Sequence, residues 1–101
     1  MPLFRQHRQS LLQVVWLDTA VTDLATITAY IADRNPAAAL KLNARLQEDA
    51  DLLGELPAIY RRGPVPGTRQ FVSHPNYILI YRVTTVAVEI LNVVHSRQQY
   101  P

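Results

Sequence analysis

The side chains best able to do chemistry are concentrated in the last third of this sequence. Residues 57–101 hold Arg61, Arg62, Arg69, Arg82 and Arg97 with His74 and His95, against the single acid Glu89. A guanidinium fork grips phosphate or carboxylate through paired hydrogen bonds and also stacks on flat surfaces, neither of which an ammonium does well. Nine of the ten basic residues are arginine, Lys41 being the exception. Histidine adds a group that exchanges protons near neutral pH. This combination is directed at something polyanionic, either nucleic acid or an acidic protein. The plainer reading is a solvated basic rim on a chain that favours arginine.

The polarity is stronger than the net charge of +2 conveys. Residues 1–17 carry +2, residues 18–56 carry −4 from seven acids and three bases, and residues 57–101 carry +4. With 101 residues, 49% of them apolar, the chain makes one globular domain with a modest core. The absence of cysteine rules out a disulfide framework, a thiolate metal site and a cysteine nucleophile. Residues 1–10 lack an apolar signal core, and no apolar run is long enough to span a bilayer. The expectation is a cytoplasmic protein without membrane attachment. His7, His74 and His95 match no local metal pattern, so no metal and no cofactor is expected. The acidic helical part also lacks the basic recognition helix of a sequence-specific DNA reader.

These side chains must be positioned by the rest of the chain. Val14-Val15-Trp16-Leu17 reads as a strand, with Trp16 in the core, and Asp18-Thr19 as a helix N-cap. Ala20, Leu24, Ile27 and Ile31 form an amphipathic stripe that leaves Asp23, Thr26 and Asp33 off the apolar face, and this helix ends near Arg34. Asn35-Pro36 opens a second helix with Ala39, Leu42, Leu46, Ala50 and Leu53 inward, closed at Glu55-Leu56-Pro57. So short a link makes the two helices an antiparallel hairpin.

After the Gly- and Pro-rich loop 60–67 the period changes to that of strands: 68–72, 77–83 and 86–94. His74-Pro75-Asn76 and Thr84-Thr85 are the turns of an antiparallel meander whose middle strand is central. The fold class is therefore α+β, in the order β-α-α-β-β-β, a helical hairpin packed on a small, mainly antiparallel sheet that the first strand joins. Residues 1–12 form an N-terminal extension and 13–101 the single domain.

Four pieces in this order carry a resemblance over residues 14–101. They are Trp16 with Ala20, Asp23-Leu24, Ile27 and Tyr30-Ile31; then Asn35-Pro36-Ala37-Ala38-Ala39; then Gly67-Thr68-Arg69; and lastly Tyr77 to Val83, Val88 to His95, and the Arg97 to Tyr100-Pro101 ending. Together they resemble the RelE/ParE toxins of bacterial type II toxin–antitoxin systems. That resemblance implies a small cytoplasmic toxin held in a hetero-oligomer by a cognate antitoxin with an acidic C-terminal segment.

The family has two mechanistic branches. ParE-like members inhibit DNA gyrase by binding, whereas RelE-like members cut mRNA on the ribosome. Cleavage needs a group to deprotonate the 2′-OH, one to protonate the leaving 5′-oxygen, and cations to stabilise the phosphorane. For that branch the resemblance implies His95, Arg82 and Tyr100 as the catalytic residues, with Arg69 as a second phosphate clamp. For binding to antitoxin or target it implies Arg61, Arg62, Arg69 and Arg97. RelE-like enzymes commonly place an arginine after the first tyrosine of the middle strand, where this chain has Ile78, and a lysine-rich strand near Arg69 is missing. The ParE-like branch is therefore favoured. Structural roles stand beside these: His95 capping its strand through a backbone carbonyl, Arg82 pairing with Glu89 across the hairpin, Arg61 and Arg62 solvated in a loop, and Tyr100 docking the tail. A non-toxic interaction module on the same fold is a third reading.

Overall fold

A computed structural model describes residues 12–55, 62–63 and 65–98. Among them lie β1 (Gln13–Trp16), α1 (Asp18–Ala32), α2 (Pro36–Leu53), β2 (Arg69–His74), β3 (Tyr77–Val83) and β4 (Ala87–His95). The α+β order expected from the sequence is the order observed. One four-stranded sheet runs β1-β4-β3-β2, with β1 parallel to β4 and the other neighbours antiparallel. No helix among the described residues is long and apolar enough to cross a membrane.

The stripe on α2 is inward along its whole length: Ala39, Leu42, Leu46, Ala50 and Leu53 are all buried. Leu42, Leu46, Ala50 and Leu53 cluster with Leu79 and Tyr81 of β3 and Val88, Ile90 and Val93 of β4, with Leu24, Ile27 and Ile31 of α1 packed against them. Trp16 packs there too. Asn35 caps α2 by accepting the Ala38 N–H at 3.0 Å, and Pro36 follows where its missing N–H leaves no bond unmade.

The start of α1 differs from expectation. Its N-cap is Leu17, which has no side chain able to cap, and Thr19 turns its hydroxyl to the carbonyl of Leu91. The helix is anchored to the sheet instead of to its own first turn. Its last residue is Ala32, followed by Asp33 as C-cap.

Two register shifts set which side chains face the helices. On β4 the pairing passes from Tyr81↔Ile90 to Ile80↔Asn92, leaving Leu91 opposite no residue. A bulge of this kind reverses the alternation, so the inward residues change from Val88 and Ile90 to Val93 and, by continuation, His95. On β2 the extra residue is Ser73, which is buried and donates its hydroxyl to the Asp49 carboxylate of α2. Residues of opposite parity, including Ile80, Arg82 and Glu89, point to the second face.

Leu12 also belongs to the fold, because its N–H donates to the Gly54 carbonyl at 3.2 Å. Gly54 is buried, and a Cβ there would lie 2.7 Å from the Leu12 carbonyl oxygen.

Candidate functional site

The turn between β3 and β4 and its flanking strands place one of the predicted cations. Arg82 and Glu89 sit opposite each other on β3 and β4, and Arg82 donates through Nε, at 2.9 Å, and through Nη2 to the same carboxylate oxygen. The turn between them is tied by Thr84, whose N–H donates to Ala87 O and whose Oγ1 accepts the N–H of Val86 and of Ala87. The expected cross-strand pairing of Arg82 with Glu89 is thus present, and it engages the guanidinium with an anion within the chain.

His95 lies at the other end of β4, opposite Tyr77. Its Nδ1 accepts the N–H of Arg97 at 3.1 Å, so the ring closes the strand end through an amide N–H and not through the carbonyl expected. A neutral imidazole bonded in this way carries its proton on Nε2. The Tyr77 ring sits edge-on to His95 with centroids 5.4 Å apart, and His74 flanks it on the other side at 5.8 Å. His74 repeats the backbone device, its Nδ1 accepting the Asn76 N–H at 3.0 Å.

The structure therefore separates two residues of the predicted catalytic set. From Glu89, the partner of Arg82, to His95 is six steps along β4, or about 20 Å at strand spacing, somewhat less across the bulge. Moreover Arg82 lies on the face away from the helices and His95 on the face toward them. Tyr100 and Arg61 lie outside the described residues.

Arg62 is exposed and forms an antiparallel bridge with Arg69 at the start of β2. Together with Gly67 and Thr68 they line a small cavity of about 260 Å³. It is shaped by a tight loop: Thr68 N–H and Oγ1 donate to Val65 O, Gly63 N–H donates to Thr68 O, and Gly67 takes φ +83°, a left-handed conformation that glycine adopts without penalty. Arg97 is exposed just beyond β4, near the opposite end of the sheet. Of the predicted binding residues that are described, Arg62 and Arg69 thus mark one station and Arg97 another.

A second cavity, of about 400 Å³, opens between α1 and the His95 end of the sheet. Ile27 and Val93 give it apolar walls, Tyr30, Tyr77 and His95 give it aromatic ones, and Asp23 lies at one side. Asp23 was assigned to the outer face of α1 by periodicity. Instead its Oδ2 accepts the backbone N–H of Val93 at 3.0 Å and the Asn92 side-chain amide at 2.9 Å. The reason is that β1 pairs with β4 only as far as Ile90, so the next stretch of that edge is hydrogen-bonded by α1 side chains. Asp23 and Tyr30 fall on one helical face at i, i+7, a spacing visible in the sequence, but nothing local marks Val93 as the partner.

A sequence model for the family described as the ParE toxin of type II toxin-antitoxin system, parDE, matches residues 14–100. A candidate toxin of Sinorhizobium fredii, Y4kP, is 39% identical over 90 residues, covering 88% of this chain and 93% of that protein. Toxin RelE2 of Caulobacter vibrioides is 36% identical over 84 residues, covering 83% and 94%. Among solved structures, the chromosomal ParDE TA system from P. aeruginosa has a chain that superposes with a TM-score of 0.76 over 85% of this chain and 97% of its own. At 22% identity that last likeness is one of fold.

Proposed function

Since the chain belongs to the ParE toxin family of type II toxin–antitoxin systems, we propose that it poisons DNA gyrase by binding and is neutralised in the cytoplasm by a cognate antitoxin. The antitoxin's acidic C-terminal segment covers the exposed arginines, Arg62 and Arg97 among them, in a hetero-oligomer. An extended acidic peptide suits two separated basic stations better than a compact ligand does.

The observation that carries binding over cleavage is the placement of Arg82. Its guanidinium is held by Glu89 on one face of the sheet, while His95 stands on the other face at the far end. A site that cleaves RNA through its 2′-OH needs its proton-transfer group and its phosphate clamp within reach of one scissile bond. Ile78, in place of a family arginine, removes a further cation.

The second reading is a ribosome-dependent mRNA endoribonuclease using His95, Arg82 and Tyr100. His95 favours it, since its Nε2–H is a proton donor beside Tyr77 at the rim of the larger cavity. Induction of the wild type and of His95→Ala without antitoxin separates the two. Growth arrest by both with intact transcripts, together with loss of gyrase supercoiling by the purified chain, fits binding. Transcript cleavage abolished by His95→Ala fits the nuclease, and unhindered growth with wild type leaves only a non-toxic interaction module.

A further inference from the structure

The cavity between α1 and the end of β4 has a composition that inhibition by surface binding does not require. Tyr30 is 65% exposed, and the Arg34 guanidinium lies 4.5 Å from its ring centroid. Across the opening stand Tyr77 and His95, already in edge-on contact. At the side is a carboxylate fixed in place, since both hydrogen bonds to Asp23 fall on Oδ2 while Oδ1 accepts from no described residue. Exposed Arg97 follows directly from the strand that carries His95.

We propose that this cavity binds a guanine nucleotide, either free or as one residue of a single strand. Stacking on exposed aromatic rings is open to any base, because every base has a π-face. The edge distinguishes them: guanine presents adjacent N1–H and N2–H donors that converge on the two lone pairs of Asp23 Oδ1, since Oδ2 is already taken, and its O6 accepts from the Nε2–H of His95. Cytosine presents an amino group beside an acceptor nitrogen, which the second carboxylate lone pair would repel. Arg34, pinned over Tyr30, and Arg97 supply positive charge for the phosphate. A partner's arginine side chain is also flat and also donates two parallel N–H groups to a carboxylate. It would enter between these two like charges, which disfavours it and favours an anionic ligand. A volume of about 400 Å³ is of the size that holds one small ligand.

Calorimetry of the purified full chain with GMP, CMP and tetraribonucleotides with or without one guanine tests this. Saturable binding of GMP at least about tenfold tighter than CMP is expected, with Tyr30→Ala about tenfold weaker and its thermal midpoint unchanged. Asp23→Asn, which keeps an acceptor for Val93, is expected to bring GMP and CMP to equal affinity. Binding of the guanine tetranucleotide alone assigns the base to a strand; binding of GMP as well assigns it to the free nucleotide. No heat with GMP or with either oligonucleotide overturns the proposal, as does full-strength binding by Tyr30→Ala. Binding of an arginine-bearing peptide in place of GMP overturns it also.

Discussion

The carboxylate of Asp23, in the first half of α1, accepts the backbone N–H of Val93 at 3.0 Å across 70 residues of sequence. With Thr19 bonded to the Leu91 carbonyl, it gives the uncovered edge of β4 the partners that a longer β1 would have supplied. A sheet edge left inside a packed fold is costly unless its polar groups are met, and here a helix meets them.

Asp23→Ala should therefore destabilise the domain by about 1–3 kcal/mol, because a partly buried N–H and the Asn92 amide lose their acceptor together. Asp23→Asn, which retains one acceptor oxygen, should cost less. Urea unfolding followed by circular dichroism gives both values, and equal losses would show that the negative charge, not the hydrogen bond, is what matters.

The Arg82–Glu89 pair is half exposed on the arginine side, at 49%, and 26% exposed on the glutamate side. Cross-strand ion pairs of this kind contribute about 0.2–1 kcal/mol. A double-mutant cycle of Arg82→Ala and Glu89→Ala should give a coupling in that range that shrinks in high salt. Arg82→Ala should remain toxic on induction; a harmless, folded variant would assign the guanidinium to the target surface.

Gly54→Ala should be destabilising by about 1–3 kcal/mol through overpacking, since its Cβ would meet a backbone oxygen that no rotamer change can move aside. The φ of −65° is ordinary for any residue, so the requirement is for space and not for conformation. Thermal denaturation of the variant measures the loss, and an unchanged midpoint would mean that Leu12 yields freely.

Charge reversal at the basic stations tests the antitoxin surface. Arg97→Glu and Arg62→Glu should each weaken a peptide from the antitoxin's acidic segment by about 1–3 kcal/mol if a charge-assisted bond is lost. Titration calorimetry reads the change. Unaltered affinity in both would move the acidic segment elsewhere on the molecule.

Elements and their inward faces were legible in the sequence because each rests on local periodicity. The five inward residues of α2, the Asn35-Pro36 start and the His74-Pro75-Asn76 turn all stand as read. The pairing of Arg82 with Glu89 was expected from their opposite charges, but its register was not legible: a two-residue Thr84-Thr85 turn would set Arg82 against Ala87, and the longer turn closed by Thr84 and Ala87 brings it to Glu89. The bulge at Leu91 carried no signal: an extra residue in an apolar run changes no pattern, yet it decides which face His95 occupies. Asp23 and Thr19 were misplaced for a related reason. Their partners are defined by where β1 stops, a property of strand length and not of the helix in which they lie.

The strand order has a consequence for how the molecule comes into being. Since β4 stands between β1 and β3, β1 leaves the ribosome well before its partner and waits beside a gap that residues 87–95 fill. Until those residues emerge, α1 has no edge to bond and the apolar faces of both helices lack the middle of their platform. Pairing over so long a stretch of chain closes late and all together. A partial translation product that stops short of residues 87–95 lacks the centre of this sheet, so the fold closes only when β4 is in place.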